Sequence, residues 1–301
     1  MNKYSNTAIV ASFLGLWIDS FFNHKSQIFI GFLLIFTFGI LHGANDLLLI
    51  DKLIYKKETN TRLKTLLLYI SFVLIGSLLF YIIPWVTLSA FVIISGYHFG
   101  EQQWKSLDKN KFKFLVKIFQ FVYGIFILFL LFTFHSDEVQ KIVYAITGIN
   151  FPLFYIPLFL KISSSIFIVV GLYFLSIQAI PIKTLISEIF YLIVFAVIFK
   201  SSSLMWGFAL YFVLWHSLPS IIDQIKFVYG SFSFANFISY CKSALIYWAA
   251  SLIGISILYV IFKDEKIFNA LFFSFLASIT FPHVFVIAKM FGKKITSIVS
   301  I

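Results

Sequence analysis

Four histidines, His42, His98, His216 and His283, each sit inside an apolar stretch long enough to cross a bilayer. Neutral imidazole is a good ligand for iron, zinc, copper and nickel, and several imidazoles at one depth can converge on one ion. Around them lie further polar groups at helical spacing. Asp46 follows His42 at i+4, Glu101 and Gln102 follow His98 at i+3 and i+4, and Ser220 follows His216 at i+4. That spacing places each on the face of its histidine, where it could hold water or accept the N–H of a neighbouring imidazole.

The elements that must position these residues are helices in lipid. The chain has 301 residues, of which 61% are hydrophobic and 12% charged, with 41 Phe and a mean hydropathy of +0.99. So little polar surface cannot cover a water-soluble globule, and the composition is that of a polytopic membrane protein. Apolar runs follow one another through short connectors without a linker-like change in composition, which predicts a single transmembrane helical domain over 1–301. No internal repeat breaks the pattern. Cys241 is alone, so an intramolecular disulfide and a cysteine-based metal or redox motif are excluded. The first apolar run is interrupted by Asp19 and no clear small-residue cleavage site follows, so a cleaved signal peptide is not expected.

Ten helical segments are predicted: 7–22, 27–50, 65–83, 85–104, 114–134, 163–180, 185–200, 204–223, 243–262 and 268–290. Those at 7–22 and 185–200 are short and carry Asp19 and Glu188, so tilted, peripheral or half-inserted placements are open for them. Eight to ten of the segments are expected to cross. The amphipathic connector 135–162, with Pro152 and Pro157, is expected to lie in the interface or re-enter.

The net charge of +11 does not form a stripe of the kind that binds nucleic acid. Five basic residues fall between Asp51 and Lys64 and five more between Lys105 and Lys117, in loops. With the N-terminus in the cytoplasm, 17 of the 23 Lys and Arg lie on the cytoplasmic side and 6 opposite. The positive-inside rule then puts both termini in the cytoplasm, for a multi-pass protein of the cell (inner) membrane, with anionic lipid headgroups as sufficient partners for the charge. In this topology the four histidine-bearing spans all run outside to inside. Their histidines lie eight, six, seven and seven residues before the cytoplasmic ends, roughly 9–12 Å along a helix axis. They share one level, and the predicted architecture is therefore an all-α bundle around a mononuclear metal site.

Other arrangements fit the spacing less well. Two bis-histidine haems would normally occupy two depths. A membrane di-iron site draws on H-x-x-x-H or H-x-x-H-H pairs, and neither these nor the H-E-x-x-H motif is present. A 2-His-1-carboxylate triad using Asp46 or Glu101 stays open but leaves one or two histidines unexplained. Beyond an enzyme, the same residues admit a secondary transporter or channel with an intramembrane His/Asp/Glu relay, or a haem-binding electron carrier. A relay should be staggered along the membrane normal rather than level.

Four segments carry a family resemblance: LHGAND at 41–46, YHFGEQQW at 97–104, WHSLPS at 215–220 and FPHVFV at 281–286. In these segments and their order the chain resembles the Brp/Blh family of membrane β-carotene 15,15′-dioxygenases, over about residues 30–290. The resemblance implies that His42, His98, His216 and His283 bind one Fe(II) and that O2 cleaves the central double bond of β-carotene to give two retinals, which can supply a microbial rhodopsin. It leaves Asp46 and Glu101 as candidate supporting groups. Tyr97, Phe99, Trp104, Trp215 and Phe281 flank the motifs and are candidates for lining a polyene tunnel. An apolar substrate dissolved in the bilayer could reach such a site laterally. Gly43, Gly96 and Gly100 could allow close approach of helices or ligand, or be ordinary membrane packing.

Overall fold

A computed structural model describes residues 3–53, 61–107, 112–261 and 265–299, and these form helices without any strand. The loop lysines Lys56, Lys57, Lys109, Lys111 and Lys263, used above in reading the topology, lie outside the described residues. In chain order the helices are α1 (Lys3–Asp19), α2 (His24–Leu34), α3 (Ile40–Ala44), α4 (Asp46–Leu53), α5 (Thr61–Ile82), α6 (Pro84–Gln103), α7 (Lys113–Phe134) and α8 (Ser136–Thr147). They continue as α9 (Tyr155–Ser176), α10 (Ile182–Ser201), α11 (Leu204–Leu210), α12 (Leu218–Tyr229), α13 (Phe234–Ile261) and α14 (Glu265–Val299). Two short π-helical segments, Ile35–Gly39 and Tyr211–Ser217, join α2 to α3 and α11 to α12.

Eight helical stretches among the described residues are long and apolar enough to cross a bilayer, so the chain is a multi-pass membrane protein. They are His24–Leu53, Leu63–Ile82, Lys113–Phe134, Tyr155–Ser176, Ile182–Ser201, Leu204–Tyr229, Phe234–Ile257 and Ser274–Gly292. The predicted segments 7–22 and 85–104 are helical but fall outside this set. α1 has 17 residues, and α6 ends in the polar run Glu101-Gln102-Gln103.

Two expectations are corrected. The span predicted at 163–180 begins at Tyr155 and ends at Ser176. Pro157 falls in its first turn, where a missing N–H costs nothing. The connector 135–162 thus shrinks to α8 and a short turn. The segment predicted at 185–200 is longer: α10 has 20 residues, long and apolar enough to cross a bilayer, and Glu188 is buried in it, 7% exposed, with hydrogen bonds from Gln103 and Tyr123.

The helices group into two compact units, interleaved along the chain. One comprises Met1–Ile35, Ser95–Lys141 and Asn150–Ser217; the other comprises Phe36–Ile94, Ile142–Ile149 and Leu218–Ile301. In the first, α7 packs along α9, and Phe119 stacks on Phe167 at 5.0 Å with Trp104, Tyr123 and Phe174 around them. Lipid tails are as apolar as these side chains, so the association gains from close packing rather than from burial. The glycines show where it is closest. A Cβ on Gly100 would lie 1.6 Å from the carbonyl oxygen of Gln120, and one on Gly124 would lie 1.8 Å from that of Gly96. The backbones of α6 and α7 therefore touch at these three glycines. In the second unit α14 packs along α5 and α4, and Leu49, Val228, Val286, Ile287, Met290 and Phe291 form its apolar core.

Candidate metal centre

Each unit buries two of the four histidines side by side. In the second unit His42 stands on α3 and His283 on α14, 3% and 4% exposed. Their rings meet edge to face with centroids 4.3 Å apart, and the two Nε2 atoms lie 2.8 Å from each other. Behind His283, its Nδ1 is 2.7 Å from Asp46 Oδ1, and Asp46 Oδ2 accepts the Tyr69 hydroxyl at 2.9 Å. An ionised carboxylate only accepts, so it holds the proton of neutral His283 on Nδ1 and leaves Nε2 with its lone pair. The helix breaks at Asn45 and restarts at Asp46 as α4, whose first residue thus faces His283 of α14. The sequence predicted an acceptor for a neighbouring imidazole at this position, and the neighbour is His283.

His42 is held from the opposite side. Gln224 Nε2 lies 3.1 Å from His42 Nδ1, 3.0 Å from the His42 carbonyl oxygen and 3.3 Å from Ser220 Oγ. Tyr240 donates to Gln224 Oε1 at 2.7 Å. Asn45 Nδ2 donates to the Tyr240 carbonyl at 2.9 Å, and Asn45 Oδ1 accepts from Ser243 Oγ at 2.9 Å. Gln224, Tyr240 and Ser220 are all fully buried, so this polar patch is satisfied inside an apolar core, the condition under which such networks rigidify a site. Gly43 needs no special freedom here, since a Cβ would meet His283 Nδ1 at 3.7 Å, an ordinary contact.

In the first unit His98 on α6 and His216 on the π-helical segment Tyr211–Ser217 are each 2% exposed, with ring centroids 4.7 Å apart. Phe99 meets the His216 ring edge to face at 4.6 Å, and Phe212 stacks on it at 5.5 Å. Backbone supports the ring as well. Within the wider π turn the Leu214 carbonyl accepts the Tyr4 hydroxyl and the His216 carbonyl accepts Gln102 Nε2 at 2.9 Å. The other π segment is treated the same way in its own unit, where Trp248 Nε1 donates to the Phe36 carbonyl at 3.1 Å. π-helical turns are frequent at functional sites, and here one contains a candidate ligand and the other precedes one by three residues.

The remaining candidates are distributed as follows. Glu101 Oε1 accepts the hydroxyl of Tyr97, one turn earlier on α6, at 3.1 Å. Phe99 is in contact with His216. Trp104 is buried against Phe119, Tyr123 and Phe167, and Trp215 against Tyr191 and Phe195 while its Nε1 donates to Ser12 at 3.0 Å. Phe281 packs toward Gly76 of α5. Sequence reasoning missed Gln224, Tyr240 and Tyr69, which carry the support of His42 and His283, and nothing in their local spacing marks them.

This donor set suits a first-row divalent metal. Two imidazole nitrogens bound to one ion at about 2.0–2.1 Å and about 90° apart are separated by about 3 Å, close to the separation of His42 and His283. The carboxylate behind His283 is the outer-shell partner that ligating histidines usually have.

A family model described as Beta-carotene 15,15'-dioxygenase matches residues 33–291. No curated protein and no solved structure matches the chain significantly.

Proposed function

Because the chain belongs to the β-carotene 15,15′-dioxygenase family, we propose that it is a non-haem iron oxidoreductase that uses O2 to split the central double bond of β-carotene into two retinals. The observation that carries the reading is that two pairs of buried imidazoles lie within the family match, one of them backed by a carboxylate. His42, His98, His216 and His283 would hold one Fe(II), which supplies the one-electron chemistry that ground-state O2 needs to react with a closed-shell polyene.

The residues of the chain have correspondingly little acid–base work to do. Both oxygen atoms end in the two aldehydes, so the reaction takes up no proton and needs no outside reductant. What the protein supplies is position and dryness. Asp46 keeps His283 in the tautomer with a free Nε2 lone pair, and Phe99 and Phe212 fix the plane of the His216 ring. Burial of all four imidazoles keeps water from the centre. Tyr97, Trp104, Trp215 and Phe281 remain candidates for contact with the polyene, together with Phe99. Substrate arrives from the bilayer, the termini face the cytoplasm of a cell whose inner membrane holds the protein, and the retinal leaves in lipid, where a microbial rhodopsin could take it.

Metal analysis separates this reading from its rivals. Protein purified from iron-replete cells should contain iron at the level of a single ion per chain and no haem Soret band. Haem absorption would favour an electron carrier, and well-folded protein that binds no metal would favour a transporter or channel.

A further inference from the structure

Helix α1 ends before residue 33, where the family match begins, yet it packs against the π turn that carries His216. Its two faces differ. Tyr4, Ala8, Ser12, Gly15 and Asp19 recur every three or four residues along the inner face, where Ala8, Ser12 and Asp19 are buried; Val10, Phe13, Leu14 and Trp17 stay exposed on the other, the side suited to lipid. Small residues let the inner face lie close. A Cβ on Gly15 would come within 2.6 Å of Leu210 Cδ2, one residue before the π turn begins. Two hydrogen bonds then tie α1 to the two residues that precede His216. The Tyr4 hydroxyl donates to the Leu214 carbonyl, and Trp215 Nε1 donates to Ser12 Oγ at 3.0 Å, which itself donates to the Ala8 carbonyl at 2.8 Å. The first bond makes good a missing backbone donor. Pro219 has no N–H for the carbonyl four or five residues before it, that of Trp215 in an α register and of Leu214 in a π register. A carbonyl without a donor is costly in lipid, and Tyr4 supplies one. The second bond gives a buried indole N–H, which can only donate, its acceptor.

We infer that α1 is a brace that fixes the π turn, and through it the direction of the His216 ring, with Tyr4 and Ser12 as its positioning residues. The inference rests on His216 being a metal ligand, as proposed above. One extra residue in a turn rotates the following helix against the preceding one by about 100°. His216 sits near the end of the widened turn, so its ring faces that of His98 at 4.7 Å only while the turn keeps that residue. Relaxation to an α register would carry His216 round the helix, away from His98 and Phe99. Such a change has to break both bonds to α1, because Leu214 and Trp215 turn with it.

The full-length protein in lipid nanodiscs, loaded with cobalt(II), tests this, since the visible bands of cobalt(II) report the number and arrangement of its ligands. Tyr4→Phe and Ser12→Ala each remove one hydroxyl from α1. Each should shift the bands and weaken cobalt binding about tenfold, as for other changes behind a ligand, and the double variant should do both more strongly. Phe174→Leu is the comparison. Phe174 is buried against Phe119 where α9 packs on α7, so this change should lower the thermal midpoint and leave the bands in place. Wild-type bands and affinity in the double variant would overturn the brace, and so would an equal band shift in Phe174→Leu, which would make the effect one of general packing. Failure of the ligand assignment looks different: the wild type would bind no cobalt, or His216→Ala would bind it with wild-type bands and affinity.

Discussion

The two histidine pairs are oriented by different physics. Around His42 and His283 the orienting contacts are hydrogen bonds to buried polar side chains: Asp46, Tyr69, Gln224 and Tyr240. Around His216 they are shape and backbone: two phenylalanine rings and a π turn whose Leu214 and His216 carbonyls take side-chain donors, while α6 brings in His98 by touching α7 through glycines. A hydrogen-bonded pair is oriented by partner atoms and can be retuned by changing one of them. A packed pair has its geometry specified by the fold, so a change in its surroundings should act on the fold before it acts on a proton. The comparison makes the second unit the place to alter the chemistry and the first the place to alter the structure.

The strongest perturbation is removal of a ligand. His283→Ala should abolish bound iron, read by metal analysis, while far-UV circular dichroism stays at the wild-type level, because helices in lipid satisfy their own backbones. Retained iron would remove His283 from the proposed ligand set. Gly100→Ala comes next and should act through the fold. Its Cβ would fall on the Gln120 carbonyl, so α6 and α7 must separate, at a cost of about 1–3 kcal/mol or more, seen as a lower thermal midpoint and loss of folded protein in detergent. Gly43→Ala, whose Cβ meets only ordinary contacts, should leave the midpoint almost unchanged. Equal effects of the two alanines would contradict the contrast between the pairs.

Smaller effects sharpen the hydrogen-bonded side. Asp46→Asn keeps the shape but can present an N–H to His283, so iron affinity or turnover should fall by about ten- to a hundredfold with the thermal midpoint nearly preserved. Tyr69→Phe removes only the second bond to Asp46 and should fall short of that effect, within about tenfold in metal affinity. An iron affinity that Tyr69→Phe lowers more than Asp46→Asn would mean that Tyr69 acts on the site by some route other than Asp46.

Much of this was legible from residue types and spacing. The histidines are conspicuous because ionisable groups are costly in a bilayer, and Asp46 because i+4 spacing puts it one turn along a helix. Its actual partner, His283, is 237 residues away and could not be read from local pattern. Gln224 and Tyr240 were invisible for the same reason: a single Gln or Tyr in an apolar helix acquires meaning only from what another helix brings to it, here across 182 and 16 residues. The π turns left no mark, since one extra residue in a turn changes geometry without changing composition. The start of α9 was misplaced because Pro157 read as part of an interfacial connector, whereas a proline in a first turn is compatible with the helix.

The central claim is that buried histidines in a membrane bundle serve central, oxygen-dependent cleavage of a carotenoid. Expression of the chain in cells that accumulate β-carotene tests it most directly, with pigments and retinoids quantified by chromatography under air and under anaerobic conditions. Under air the colour should fade and two retinals should appear for each β-carotene lost; without O2, or with His283→Ala, both should stop. Unchanged β-carotene in aerobic membranes that contain folded, iron-loaded protein would contradict the account.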